Sequence, residues 1–161
     1  YPYDISSQIF FKMLDYKDLI PCCTGMIQRE VAQRIASEPS NKAYGILSVM
    51  IQAWYDVEYL FTVDEGVFNP PPKVKSAVIR MTRNGVENLG CDESLFKRVV
   101  KTAFNQRRKM LRVSLKPLFG KDHMPDAAFF AQDIMTRRPE QLTVAQFVDL
   151  TNRVAEVMPK P

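Results

Sequence analysis

KSAVIRMTRNGVENLGCDES, residues 75–94, is where one pattern of the chain ends and another begins. Its first eight residues, KSAVIRMT, have the apolar and β-branched content of a strand. NGVENLGCDES then brings two glycines, two asparagines and acidic residues, and reads as a linker closing in a helix start at Asp92 to Ser94. No strand candidate follows residue 84. Upstream, DVEYLFTV at 56–63 is a second strand candidate. The segment between the two, DEGVFNPPPKV, cannot be regular structure because Pro70, Pro71 and Pro72 lack N–H donors. CCTGMIQ at 22–28 is short and mostly apolar and fits a buried strand, with helices expected over about 5–15, from 29, and over 46–54. SEPSNKAYG at 37–45 has loop chemistry. Downstream the pattern is helical throughout, over about 93–105, 107–118, 126–134 and 143–157, with Thr143 as the N-cap of the last. The fold class read from this order is α/β over 1–84, the second half of such a domain, followed by a small all-helical domain over 85–161.

Composition narrows the chemistry. The 161 residues are 46% hydrophobic and 25% charged, the balance of a folded chain, and a formal charge of +4 permits a polyanionic partner. Glycine occurs at 25, 45, 66, 85, 90 and 120, so neither a G-x-G-x-x-G loop nor a P-loop is present. Three strand candidates are fewer than the five to seven usual in a doubly wound domain, and the chain reads as the C-terminal part of something longer. Cys22 and Cys23 are neighbours, about 3.8 Å apart at Cα and closer than a disulfide tolerates. With them unpaired, Cys91 alone and no signal peptide or 20-residue apolar run, the expectation is a cytoplasmic protein without a membrane span. A single histidine, His123, in the turn-rich GKDHMPD, leaves no zinc site and no His-based catalytic centre. Cys22, Cys23, Trp54 and the methionines are assigned to core packing.

Three stretches go beyond generic α/β patterning: YPYDISSQIFFKML at the start, VFNPPPKVKSAVIRM at 67–81 and TAFNQRRKMLRVSLK at 102–116. In this order and spacing they resemble the small-subunit ribosomal RNA adenine dimethyltransferases, and the similarity continues through MIQREVAQRIAS, YGILSV and RPEQLTVAQFVDLTNR. The resemblance implies a Rossmann-like methyltransferase domain, of which 1–84 is the C-terminal half, and a helical RNA-binding domain. It implies S-adenosylmethionine as donor, held upstream of Tyr1, direct methyl transfer without a metal, and two adjacent adenosines of small-subunit rRNA as target. Pre-ribosomal small subunits would be the partner. The intact protein would be monomeric and the present chain prone to self-association.

The resemblance also supplies residue roles. The family's Asn-apolar-Pro-Tyr loop places Tyr1, Pro2 and Tyr3 at its last three positions, with the Asn upstream. An adenine exocyclic amine is a poor nucleophile, its lone pair delocalised into the ring. Accepting hydrogen bonds from its two protons, at that Asn and at a carbonyl near Pro2, would concentrate charge on the attacking nitrogen. Tyr3 would stack on the extruded base and Phe68 would give the pocket its second aromatic face. Asp4 departs from the family's usual Asn, although either residue can cap the helix expected after it. From Ser94 to Lys121 the chain has nine Lys or Arg and no Asp or Glu, where a solvated helix face normally mixes signs. Lys101, Arg107, Arg108, Lys109, Arg112 and Lys116 in that stretch, with Lys73 and Lys75 on the proline loop, are the expected RNA contacts. The rival reading is a non-catalytic RNA-binding or ribosome-assembly module.

Overall fold

The computed structural model describes residues 3–63 and 75–159, with side chains from residue 8 onward. It divides into two units, one of Tyr1–Glu38 with Leu47–Val86 and one of Pro39–Ile46 with Glu87–Pro161. The change of unit near the linker falls two residues beyond the sequence-based boundary. Residues 39–46, which interrupt the first unit in sequence, are part of the second.

The first unit is α/β. After α1 (Tyr3–Asp15), the strands β1 (Cys22–Gln28), β2 (Tyr55–Val63) and β3 (Ser76–Arg83) form one sheet in the order β1-β3-β2. Both pairings are antiparallel, so β1 and β2 run parallel and the last strand in sequence lies between them. A parallel pair needs a long crossover, and α2 (Arg29–Ala36) and α3 (Ile46–Gln52) lie in it. Alternation along β3 is complete: Ala77, Ile79 and Met81 are buried while Arg80 and Thr82 are exposed. A bulge near Leu60 interrupts the register of β2.

Two sequence expectations are corrected here. β1 is an edge strand with alternating exposure, because β3 occupies the centre of the sheet; it is not a buried strand. Cys22 is exposed, and Met26, Met110 and Met124 are 52%, 38% and 44% exposed, so these four do not pack in a core. Trp54 does, at 4% exposed. It lies beneath the Lys17 ammonium, 4.2 Å from the ring centroid, and its carbonyl accepts from Arg83 Nε at 3.1 Å. Arg83 also donates to Val86 O at 2.6 Å, which fixes the chain as it leaves the sheet.

The second unit is helical. Asp92 caps α4 (Glu93–Asn105), its carboxylate accepting from Leu95 N at 2.7 Å. The short helices α5 (Leu111–Ser114) and α6 (Ala127–Phe130) precede α7 (Val144–Val157), whose N-terminus is closed by a Thr143–Gln146 capping box. Phe96, Val99, Val100 and Ala103 of α4 are buried, as are Phe147, Leu150 and Val154 of the packed α7. The stretches 107–118 and 126–134 are not continuous helices. Each is a single α turn followed by a 3₁₀ turn, Lys116–Leu118 and Asp133–Thr136. Pro117, which has no N–H to donate, accounts for the first break.

Residues 39–46 are bound into this unit as a strap. Ser40, at φ 72°, donates its N–H to Glu140 O at 2.7 Å. Tyr44 is fully buried, edge-on to Phe104, and its hydroxyl donates to Leu142 O at 2.7 Å. Burial pushes the Tyr44 phenol from 10.0 up to about 12. A folded pKa above the unfolded one means the native state holds its proton longer. The stabilisation is therefore whole below pH 10 and is lost as pH rises towards 12. Its size is about 2–3 kcal/mol. Tyr44→Phe is expected to lower stability by about 1 kcal/mol at neutral pH. The wild type should then lose that advantage between pH 10 and 12 in chemical unfolding followed by circular dichroism.

Candidate nucleic-acid interface

Charge is divided unequally between the two units. The second carries fourteen Lys or Arg against nine Asp or Glu, a net of +5; the first carries eight against nine, a net of −1. The positive charge of the protein thus belongs to the helical unit. Several of that unit's acids cap helices or pair with Arg107, Arg138 and Arg153, and among the described residues none pairs with Arg108, Lys109 or Arg112. Asp92 and Asp126 cap helices, Asp149 pairs with Arg153 at 2.9 Å, and Glu140 faces both Arg107 and Arg138.

The expected RNA contacts separate into distinct environments. Arg108, Lys109 and Arg112 are exposed and form no ion pair among the described residues. Lys116 is exposed with its ammonium 6.0 Å from the Phe130 ring centroid, and Lys101 is exposed on α4. In sequence they run from α4 through the connection to α5 and into the 3₁₀ turn that follows it. Lys75 is exposed in the first unit, just ahead of β3, with its carbonyl accepting from Arg29 N at 2.8 Å. Lys73 lies outside the described residues.

Arg107 has a different occupation. Its Nη2 donates to Lys42 O at 2.7 Å and to Asn41 O at 3.3 Å, and its guanidinium lies 3.5 Å from the Glu140 carboxylate. Half-buried and holding the strap through two carbonyls, it is an anchor of the helical unit. Sequence gives no sign of this, because Arg107 and Arg108 are adjacent members of one basic cluster. It equally misses Met110 and Val113, which lie in the same basic stretch of sequence and leave 38% and 41% of their surface open.

The expected base pocket is only partly visible. Pro2 and Phe68 lie outside the described residues, and Tyr3 is described only as the first residue of α1. The first unit has a cavity of about 250 Å³ lined by Ala36, Glu38, Gln52, Tyr55, Asp56 and Val57. Ligand sites usually enclose about 300–1,000 Å³. Gln52 is also already used, donating to Ile35 O and Ser37 O. Among the described residues no cluster of three or more His, Cys, Asp or Glu is arranged to hold a metal, and no helix is long and apolar enough to cross a membrane.

Comparison with known proteins bears on the whole chain. The family model described as ribosomal RNA adenine dimethylase matches residues 1–156. A ribosomal RNA small subunit methyltransferase A of Bacteroides thetaiotaomicron is 69% identical over 159 residues, 98% of this chain and 58% of the relative. One of Parabacteroides distasonis is 70% identical over 151 residues, 94% of this chain and 55% of the relative. The chain therefore spans somewhat more than half the length of these curated relatives. Among solved structures, a dimethyladenosine transferase from Plasmodium falciparum superposes with a TM-score of 0.81 at 21% identity, covering 97% of this chain and 65% of that one. The 23S rRNA methyltransferase ErmE gives 0.58 at 23% identity, covering 96% and 63%. At these identities the two structures speak for the fold alone.

Proposed function

The chain belongs to the ribosomal RNA adenine dimethylase family, and from that membership we propose that the intact protein methylates the exocyclic amines of two adjacent adenosines in small-subunit rRNA. The observation that carries this reading is similarity at 69% identity along nearly all of the chain to a relative named for methylating small-subunit ribosomal RNA. S-adenosylmethionine is the methyl donor in this proposal. The first unit is then the C-terminal half of a Rossmann-like domain and the second is the RNA-binding domain. The absence of paired cysteines among the described residues agrees with a cytoplasmic setting.

The chain's own residues have two tasks in this proposal. Lys101, Arg108, Lys109, Arg112 and Lys116 of the second unit and, separately, Lys73 and Lys75 of the first neutralise phosphates and set the RNA in register. Tyr3 and Phe68 hold the extruded adenine between their rings, while a carbonyl near Pro2 accepts a proton of the amine. No glycine-rich loop of the kind that holds such a donor is present, and the described cavity of about 250 Å³ is smaller than usual ligand sites. The donor is assigned to the portion of the relatives that this chain does not span. Calorimetric titration of the 161-residue chain with S-adenosylmethionine is accordingly expected to give no saturable heat. Micromolar binding would relocate the donor site onto this chain.

A further inference from the structure

Met110 and Val113 are the exposed apolar residues on and beside α5, and Lys109, Arg112 and Lys116 are their neighbours in sequence. Met110 is the N-cap of that helix and Val113 lies three residues on, its N–H donating to Met110 O at 3.0 Å, so the two bracket a single turn. Lys109 and Arg112 precede them by one residue each, and Lys116 follows Val113 by three. A helix surface built only to follow a phosphate backbone gains nothing from an apolar stripe, and a lone exposed Val or Met is unremarkable. Two in register within a stretch of 28 residues that has no acid is a composite surface: charge for phosphates and apolar area for something flat and poorly hydrated.

Resting on the RNA-binding reading above, we infer that this face of α5 binds RNA at an unpaired nucleotide, with the base against Met110 and Val113 and the flanking phosphates on Lys109, Arg112 and Lys116. A duplex presents phosphates but keeps its base faces stacked; a loop or bulge offers both. The polyanionic partner is fixed by charge complementarity, since the helical unit carries a net +5. The unpaired character is fixed by the apolar pair. A methionine suits this use, being unbranched and polarizable and able to adapt to any of the four bases.

The test compares two RNAs of equal nucleotide number and charge, a fully paired blunt-ended duplex and a duplex one base pair shorter that carries a two-nucleotide bulge, against the full 161-residue chain. The bulged RNA should bind more tightly. Met110→Ser with Val113→Ser should weaken binding of the bulged RNA roughly three- to tenfold and leave the duplex unaffected. The dependence on salt should stay unchanged, because no phosphate contact is lost. Met110→Leu should restore most of the difference, which separates loss of apolar surface from damage to the fold. Equal losses on both RNAs, or no loss on either, would overturn the inference while leaving RNA binding in place. Failure of the wild type to bind either RNA would instead remove the RNA-binding reading and this inference with it.

Discussion

Replacing Arg108, Lys109 and Arg112 together by alanine is expected to weaken RNA binding by roughly two to three orders of magnitude at 50 mM salt. Each phosphate contact made to single-stranded nucleic acid contributes about 0.7 to the log–log salt slope, and near 0.9 for a duplex. At 50 mM that is close to one decade of affinity per contact, and three are removed. The slope itself should flatten by about 2 to 3. The prediction is specific to these residues because they are exposed and form no ion pair among the described residues. Arg107→Ala is the internal contrast. It would leave Asn41 O and Lys42 O without their charged donor and cost the helical unit about 1–3 kcal/mol. Its effect on the salt slope should be small. Filter binding over a salt series, beside chemical unfolding of each variant, separates the two classes. A triple variant with the wild-type slope would move the RNA site elsewhere.

The second large effect is expected at the base pocket. On the roles proposed for them, Tyr3→Ala and Phe68→Ala in the intact protein would each remove one face of the stack, worth about 1–3 kcal/mol. Methyl transfer should fall roughly five- to 150-fold for each. The losses should be less than additive in the double variant, since one adenine is held by both rings. Affinity for S-adenosylmethionine should be unchanged. Full activity in both single variants would return Tyr3 and Phe68 to a packing role.

Much of the fold is legible in the sequence because it rests on local chemistry. CCTGMIQ and ESLFKRVVKTAFN mark β1 and α4 to the residue, the latter because Asp92 is an effective cap at the end of a glycine-containing linker. Thr143 announces α7 in the same way. The central place of β3 is not legible, since strand order is set by pairing between residues up to about 60 apart, such as Cys22 and Thr82. Period-2 alternation tells which face of a strand is covered and nothing about its neighbours. That is why β1 reads as buried and is found at an edge. Nor does sequence separate Arg107 from Arg108: the distinction is made by carbonyls of residues 41 and 42, which enter the helical unit from the middle of the α/β sequence. The proposed site is thus read from a charge cluster and a family motif. The division of labour inside the cluster needs the tertiary fold.

The central claim, that the intact protein methylates small-subunit rRNA, is tested most directly by mapping the methyl groups on RNA incubated with it. Small-subunit ribosomal particles lacking these modifications would be incubated with the protein and S-adenosylmethionine, and the RNA digested and analysed by mass spectrometry. The account predicts dimethyladenosine at two adjacent positions in small-subunit rRNA, with large-subunit rRNA unmodified. Methylation confined to large-subunit rRNA, or no methylated adenosine in either RNA, would contradict it.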